Sequence, residues 1–257
     1  MVLAASTCAG RAAAQDFGVG PQREPTLVSS RLGLESSFAT FDQQGVKGDF
    51  AGLTLRGDLK LAKNVRLRLL VPMYAIQLEG EQPRNLGFGD AALQVRAVLY
   101  EGHPWRFYYG LEDQLPTGDT AIGTGQGGSQ LSPFITGGWR KGSFVAYFWL
   151  TDCIGLHPQW GPGKPAPVDY VDPSTDEEVR TTLGGYGEIT DSLYFNVAVT
   201  TINPLLAQDS EAWTVIGGAA LGYVFTDSIK MVVVEQAPLA GQHRFDERIG
   251  VDAYMYF

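Results

Sequence analysis

Residues 51–75 read AGLTLRGDLKLAKNVRLRLLVPMYA, two runs of alternating residues joined by a short polar turn. The residues of one parity are apolar: Leu53, Leu55, Leu59, Leu61, Val65, Leu67, Leu69, Val71 and Met73. The opposite parity carries the polar residues Thr54, Arg56, Asp58, Lys60, Arg66 and Arg68. Because successive side chains of a β-strand point to opposite faces, this pattern predicts two strands with one apolar and one polar face.

The same alternation recurs from about Ser29 to Phe257, for example in RLGLESSF, DAALQVRAVLY and WRFYYGLEDQL. It predicts about twelve strands, each close to the 9–11 residues that cross a bilayer at a tilt. Between Trp213 and Phe225, alanine and glycine occur at both parities, so the pattern does not show which residues face lipid and which face the lumen. No apolar run reaches the roughly 20 residues that a transmembrane helix needs.

The predicted connections alternate between short and long. The short ones contain residues that suit tight hairpin turns; they are AKN, EGHP, RKG and two copies of TDS. The long ones are FDQQGVKG, EGEQPRNLG, PTGDTAIGTGQGG, the loop from His157 to Glu177, NPLLAQDSE and APLAGQHRF. Outer-membrane barrels have short periplasmic turns and long external loops. The predicted fold is therefore all-β: a transmembrane antiparallel up-and-down β-barrel of about twelve strands, with both termini periplasmic.

The composition agrees with this fold and excludes several other classes of protein. Hydrophobic residues make up 44% of the 257 residues, so a disordered chain is excluded. Charged residues make up only 18%, which is low for a soluble domain. A net charge of −9 argues against a nucleic-acid partner. A secreted β-sandwich is the alternative, but it does not explain why short and long connections alternate.

The first residues, MVLAASTCAGRAAAQ, form an apolar stretch that ends in small residues. We interpret residues 1–14 as a signal peptide, residues 15–28 as a periplasmic segment and residues 29–257 as the barrel. The stretch lacks a basic start, so a signal peptide that begins further upstream is left open. Removal of Cys8 with the signal leaves Cys153 without an internal disulfide partner, which fits a Gram-negative envelope.

The final stretch, IGVDAYMYF, alternates in the same way and carries Tyr254, Tyr256 and Phe257. In a closed barrel this strand pairs with the first, because an open edge in lipid would leave backbone groups unpaired. An aromatic strand of this kind is similar to the signal that the outer-membrane assembly machinery recognises. We therefore expect two partners besides a solute: that machinery and the outer-membrane lipid.

Motifs for catalysis or cofactor binding are weak. GTGQGG matches a dinucleotide-binding pattern, but no helix follows it, and we interpret it as a flexible external loop. The three histidines fall in predicted turns and loops, without a serine placed for nucleophilic catalysis. No cluster has metal-ligand spacing. We expect no catalytic residues, no metal and no cofactor.

The charged residues whose parity places them inside the barrel are the most informative about function. The candidates for a solute path through the lumen are Arg56, Asp58, Arg66, Arg68, Asp90, Arg96, Arg106, Glu112, Arg180 and Arg248. Such charges can form a structural network or can line an aqueous path. The lumen of a barrel with about twelve strands can be either plugged or open. Basic residues outnumber acidic ones, which favours anionic solutes or the anionic ends of aromatic ones.

One region resembles a known family. Gly87-Phe88-Gly89-Asp90 begins a strand, Leu115-Pro116-Thr117-Gly118 precedes a glycine-rich loop, and Pro133 lies in the next strand. This arrangement resembles the outer-membrane proteins of the phenol-degradation (MetA) pathway and covers about a third of the chain. The resemblance implies an outer-membrane barrel that acts as a channel for hydrophobic or aromatic compounds.

The predicted function is a porin-like channel or transporter in the bacterial outer membrane. Small, aromatic or hydrophobic solutes would cross it by passive diffusion through a charged lumen. Two alternatives stay open: a barrel enzyme of phospholipase-like type, and a structural or adhesive barrel that acts through its external loops, above all the loop from His157 to Glu177.

Overall fold

The computed structural model describes residues 30–43, 45–80, 84–156, 170–171, 177–205, 213–226 and 228–257. These ranges contain thirteen strands. Their bounds are β1 Arg31–Gln43, β2 Val46–Ala62, β3 Val65–Leu78, β4 Asn85–Phe88, β5 Ala91–Gly102, β6 Trp105–Leu115, β7 Ser129–Lys141, β8 Phe144–Leu156, β9 Glu177–Glu188, β10 Leu193–Pro204, β11 Thr214–Thr226, β12 Ile229–Gly241 and β13 Glu247–Tyr256. None of the described segments is a helix long and apolar enough to span a membrane.

The sheet closes on itself. Strand β1 pairs with β2 on one side and with β13 on the other, so that Leu34 lies between Leu55 and Ala253. Within the described ranges, twelve strands form the closed antiparallel barrel, namely β1–β3 and β5–β13. Closure pairs the backbone groups of both end strands, as a barrel in lipid requires. The predicted barrel of about twelve strands is confirmed.

Strand β4 is an addition that the alternation did not predict. It pairs with residues Met73–Ile76 of β3, while β5 pairs with residues Val65–Leu70 of the same strand. The two strands are separated at Gly89 and Asp90, opposite Pro72, whose carbonyl accepts the Gly89 N–H at 3.0 Å. Proline has no N–H to donate to the ladder, so the interruption lies where the ladder is weakest.

The outer surface of the barrel is an apolar belt. On β2, Leu55 exposes 55% of its surface while its neighbour Thr54 exposes none. The same contrast occurs on β1 at Leu34, on β12 at Val233 and on β13 at Val251, which are all exposed. Between Trp213 and Phe225, where the sequence pattern did not show which residues face lipid, Leu221, Tyr223 and Phe225 face outward. A continuous apolar surface of this extent matches the lipid-facing band of a membrane barrel.

The two ends of the barrel differ. The connections β2–β3, β5–β6, β7–β8, β9–β10 and β11–β12 lie at one end, which we call the short-turn end; Arg31 and Tyr256 lie there too. The other connections lie at the long-loop end. That the short-turn end faces the periplasm remains a prediction, and residues 1–28, the predicted signal peptide and periplasmic segment, lie outside the described ranges.

One connection is shorter than predicted. FDQQGVKG was expected to be a long loop, but β1 continues to Gln43 and β2 starts at Val46. The two strands pair all the way to this point, and Gly45 adopts a φ of 81° in the turn. A positive φ suits glycine, which allows the tight hairpin.

Candidate functional site in the charged lumen

The polar parity of each strand faces the inside of the barrel. Eight of the ten predicted lumen residues are buried there: Arg56, Asp58, Arg66, Arg68, Asp90, Arg96, Arg180 and Arg248. The other two, Arg106 and Glu112, are partly exposed on the inner side of β6. The charges therefore lie where the alternation predicted, but they divide into groups with different surroundings.

Asp58 is the centre of the first group. It is completely buried and accepts hydrogen bonds from the Nε atoms of Arg31 at 2.5 Å, Arg56 at 2.8 Å and Arg68 at 2.7 Å. These three arginines come from three neighbouring strands, β1, β2 and β3. A buried carboxylate with three charge-assisted hydrogen bonds is well compensated, and loss of it would leave buried cations without a counter-ion. This group is a structural network.

A second acid, Glu35, extends the network across the seam between the first and last strands. Its Oε1 accepts hydrogen bonds from Arg56 Nη1 at 2.8 Å and from the hydroxyl of Tyr254 at 2.7 Å. Asp252, also completely buried, lies directly opposite Glu35 in the β1–β13 register. Arg56 thus links Glu35 with Asp58, and the Tyr254 hydroxyl connects this network to β13, the strand that closes the barrel.

The third group is a row of cations near the short-turn end. Lys60 on β2 lies directly opposite Arg66 on β3, and Arg66 lies directly opposite Arg96 on β5. Side chains opposite each other on antiparallel strands share one face, with Cβ atoms about 5 Å apart. Arg96 is only 3% exposed, and no described residue accepts a hydrogen bond from its Nη1 or Nη2. Asp58 by contrast accepts hydrogen bonds from the Nε atoms of Arg31, Arg56 and Arg68.

The buried charges of the short-turn half are therefore mostly positive. Among the described residues, the cations are Arg31, Arg56, Arg66, Arg68, Arg96 and Lys230. The acids are Glu35, Asp58 and Asp252. Among these described buried side chains, six cations stand against three acids, although the whole chain carries a net charge of −9.

The long-loop half of the lumen contains an apolar cluster instead. Phe41, Phe50, Val171 and Phe245 pack together there, and each is almost fully buried. Arg248 lies among them, with its guanidinium carbon 4.5 Å from the centroid of the Phe245 ring, and its Nη2 donates to the Val171 carbonyl at 3.3 Å. Val171 belongs to the connection between β8 and β9, of which residues 170–171 are described, so this short piece of the connection packs inside the barrel.

Glu178 attaches the connection between β12 and β13 to the inner wall of the barrel. It is fully buried and accepts hydrogen bonds from Arg180 Nε at 2.6 Å and from Arg244 Nη2 at 2.5 Å. Arg244 comes from the connection between β12 and β13, whereas Glu178 and Arg180 lie on β9. The ion pairs therefore attach one connection of the long-loop end to the inner wall.

Asp90 attaches the glycine-rich loop between β6 and β7. Its Oδ1 accepts the N–H of Gly118 at 2.7 Å, and its Oδ2 accepts the N–H of Gln126 at 2.9 Å. The hydroxyl of Thr124 adds a hydrogen bond to the carbonyl of Phe88 at 2.7 Å. The sequence pattern suggested a flexible external loop here; the loop is instead tied to the wall, because a buried carboxylate needs these backbone donors.

The wall formed by β5–β9 contains a small polar recess, which we call the upper recess. Its lining includes Gln94, Glu112, Gln130, Thr151, Cys153 and Arg180. Phe134 and Trp149 stack beside it with ring centroids 4.8 Å apart. A second recess, which we call the lower recess, lies nearer the short-turn end and is lined by Lys60, Arg66, Arg96 and Tyr108. The two recesses follow each other along β5, since Gln94 and Arg96 are successive inward residues of that strand.

The residues of the predicted assembly signal divide between the two faces. Tyr254 and Tyr256 point into the barrel and are buried, while Phe257 is exposed at 62%. Arg31 lies 5.0 Å from the Tyr254 ring centroid, and Lys230 lies 4.7 Å from that of Tyr256. The tyrosines thus also pack against lumen cations. Their role in assembly remains a prediction.

Several interior residues were missing from the predicted set, among them Arg31, Glu35, Arg244 and Val171. Arg31 and Glu35 lie on the parity opposite Leu32, Leu34 and Phe38, so the alternation of β1 contained their signal. Arg244 and Val171 belong to connections, where no period indicates that a side chain turns inward.

No family model and no curated protein matches the sequence. Solved structures do match the fold. An outer-membrane channel from Pseudomonas putida F1 superposes with a TM-score of 0.72 at 13% identity, covering 93% of this chain and 100% of that chain.

Two porins are similar at lower scores. KdgM porin, in complex with disordered oligogalacturonate, has a TM-score of 0.57 at 9% identity and covers 88% of this chain and 99% of its own. NanC porin has a TM-score of 0.57 at 10% identity, with the same coverage. The resemblance to the phenol-degradation family remains a prediction. The closed fold, the apolar belt and these likenesses show that the chain is a β-barrel of the bacterial outer membrane.

Proposed function

We propose that the barrel is a narrow channel that lets small anionic solutes, including aromatic acids, cross the outer membrane by passive diffusion. The observation that carries this proposal is the excess of cations over acids among the described buried side chains of the short-turn half, where Arg66 and Arg96 lie in one row with the exposed Lys60. A positive potential inside a low-dielectric wall attracts anions and repels cations.

The packing supports a narrow path rather than a wide pore. On the side of β1–β3 and β13, the interior is filled by the network around Asp58 and by aromatic side chains such as Phe50 and Tyr254. The upper recess is lined by β5–β9, and the lower recess lies between the β2–β3 turn and the strands β5 and β6. The path would therefore run along β5 and β6, which line both recesses, and would admit only small solutes.

The lining of this path fits solutes that combine a ring with an acid group. Phe134 and Trp149 offer aromatic faces beside the upper recess, and Tyr108 lies beside Arg96 in the lower one. Arg180 supplies a cation at the upper recess. An aromatic acid would keep its ring on the apolar faces while its carboxylate moves between the arginines.

The test is a recording of single-channel currents in a planar bilayer, with a salt gradient to measure the reversal potential. We expect small conductance and a reversal potential that shows preference for anions over cations. Addition of benzoate should block or slow the chloride current, since both use the same path. A silent barrel, or one that prefers cations, would overturn the proposal.

We propose no enzymatic activity. Of the histidines in the described ranges, His103 lies in the turn between β5 and β6 and His243 in the connection between β12 and β13. These positions are at opposite ends of the barrel, so the two cannot share a site. Most of the loop from His157 to Glu177, on which the adhesive alternative depends, lies outside the described ranges.

A further inference from the structure

We propose that a groove on the outer face of the barrel binds one anionic phospholipid, with an acyl chain in the groove and the phosphate beside Lys141. This groove, which we call the outer groove, lies across β6, β7 and β8 near the short-turn end. Lipid binding there needs neither conduction nor a solute, because the groove is separate from the lumen. It differs from the general contact between lipid and the apolar belt, because one lipid of one headgroup charge is held at one place.

The outer groove is formed by outward-facing residues of three neighbouring strands. Trp105 on β6 is exposed and lies directly opposite Trp139 on β7, which in turn lies directly opposite Ala146 on β8. Phe148, the next outward residue of β8, lies opposite Gly137. These five residues are among those that line a space of about 410 Å³. Pockets for small organic ligands have volumes of roughly 300–1,000 Å³, so the groove has room for a large part of an acyl chain.

Glycine and aromatic rings give the groove its shape. A Cβ at Gly137 would lie 2.6 Å from ring atoms of both Phe107 and Phe148, so a side chain there would displace both rings. The Phe107 ring centroid lies 6.1 Å from that of Trp105 and 6.3 Å from that of Phe148. The three rings form one continuous apolar wall. Because this wall is already in place, a hydrocarbon chain can lie along it without reordering the barrel.

The charges at one end of the groove select the headgroup. Lys141 is the next outward residue of β7 after Trp139 and lies about 6.6 Å further towards the β7–β8 turn. It is exposed, and no carboxylate among the described residues pairs with it. Arg140 lies at the same turn, where its Nε donates to the Gly142 carbonyl at 3.2 Å. Tryptophan marks the level of the headgroups in a membrane, and a lysine at that level reaches the phosphates.

The occupant is a phospholipid of the leaflet at the short-turn end. The predicted orientation places this end at the periplasmic leaflet, where the outer membrane contains its phospholipids. An anionic phospholipid such as phosphatidylglycerol offers an acyl chain to the rings and a net negative charge to Lys141 at the same time. A lipid without net charge would make only the first of these contacts in full.

The experiment is native mass spectrometry of the folded barrel in non-ionic detergent, after incubation with equal amounts of phosphatidylglycerol, phosphatidylethanolamine and lipid A. The wild type should retain one phosphatidylglycerol in preference to the other two lipids. Ala146→Leu fills the groove and should lower retention at least about fourfold, the loss expected when one methylene group of the chain is displaced. Lys141→Gln leaves the groove open but should lower the preference for phosphatidylglycerol over phosphatidylethanolamine about fivefold, since one cation is lost.

Ala253→Leu is the matched control. Ala253 is exposed on the outer face of β13, opposite Leu34, so the change adds the same bulk outside the groove and should leave retention equal to that of the wild type. Circular dichroism checks that each variant is folded, and Lys141→Gln tests the site even if Ala146→Leu does not fold. No lipid on the wild type, equal retention by Ala146→Leu, or an unchanged preference in Lys141→Gln would overturn the site. Preference for lipid A, or a dimer in place of bound lipid, would overturn it as well.

Discussion

The buried carboxylate of Asp90 accepts a hydrogen bond from the N–H of Gly118 at 2.7 Å. This bond joins the segment between β4 and β5 to the loop that follows β6. Gly118 in turn packs against Gly125, and a Cβ on either would come within 2.6 Å of the other's backbone. Gly125, in the stretch GTGQGG that matches a dinucleotide-binding pattern, therefore has a different role. With Gly118 it lets two segments of one loop approach closely around a carboxylate.

We predict that Asp90→Ala releases this loop. The change removes two hydrogen bonds to a charged acceptor, each of which contributes roughly 1.5–3 kcal/mol. Hydrogen exchange of the Gly118 and Gln126 amides should become at least about tenfold faster, while the rest of the barrel keeps its protection. Asp119→Ala is the control in the same loop, because Asp119 is exposed and caps only the Ala121 N–H. Unchanged exchange at both amides in Asp90→Ala would show that the loop is held by other contacts.

A second prediction concerns depth in the membrane. Leu55 and Leu61 are both exposed on the outer face of β2, but Leu55 lies near the middle of the strand and Leu61 near its end. Leu55→Arg should lower the free energy of unfolding in lipid vesicles by about 2–4 kcal/mol, and Leu61→Arg by no more than about 1 kcal/mol. Urea titration followed by tryptophan fluorescence measures both. An equal cost at the two positions would contradict the placement of the apolar belt.

The alternation of β1–β3 predicted which side chains face the lumen, because the side-chain period of a strand is two and the lipid-facing side must be apolar. It could not show which charges are paired. Arg66 and Arg68 are identical in pattern, yet Arg68 donates to Asp58 while Arg66 lies in the row with Arg96. This difference depends on the register between strands, which the period of one strand does not contain.

The long-loop end was less predictable for a different reason. Val171 and Arg244 belong to connections without a repeating period, and their inward position depends on contacts with Arg248 and Glu178 far along the chain. The split between β4 and β5 was likewise missed, although Pro72 and Gly89 are both visible in the sequence. Their effect arises only because they face each other in the sheet.

The third prediction concerns Asp58. Asp58→Asn removes the counter-ion of three buried arginines, and breaking a buried ion pair in this way costs about 3–5 kcal/mol of folding free energy. We expect a marked fall in thermal stability in detergent, followed by circular dichroism at a strand wavelength. Asp42→Asn is the control: its pair with Lys47 is exposed, with an N–O distance of 3.5 Å, and should contribute less than about 1 kcal/mol. A small effect of Asp58→Asn would mean that water or a bound anion already screens these arginines.

The last prediction separates two adjacent arginines on β3. Arg68→Gln removes a hydrogen bond at 2.7 Å to Asp58, so it should lower stability. Arg66→Gln removes a cation that lies opposite both Lys60 and Arg96, so relieved repulsion should offset part of the stability lost with its other contacts, and we expect a smaller loss than for Arg68→Gln. In bilayer recordings, Arg66→Gln should reduce the preference for anions by roughly twofold to tenfold, since one unit of charge leaves the proposed path. Measurements of stability and reversal potential on both variants distinguish a structural role from a role in conduction. If Arg66→Gln destabilises the barrel as much as Arg68→Gln and leaves the reversal potential unchanged, both arginines belong to the structural network and the row has no part in conduction.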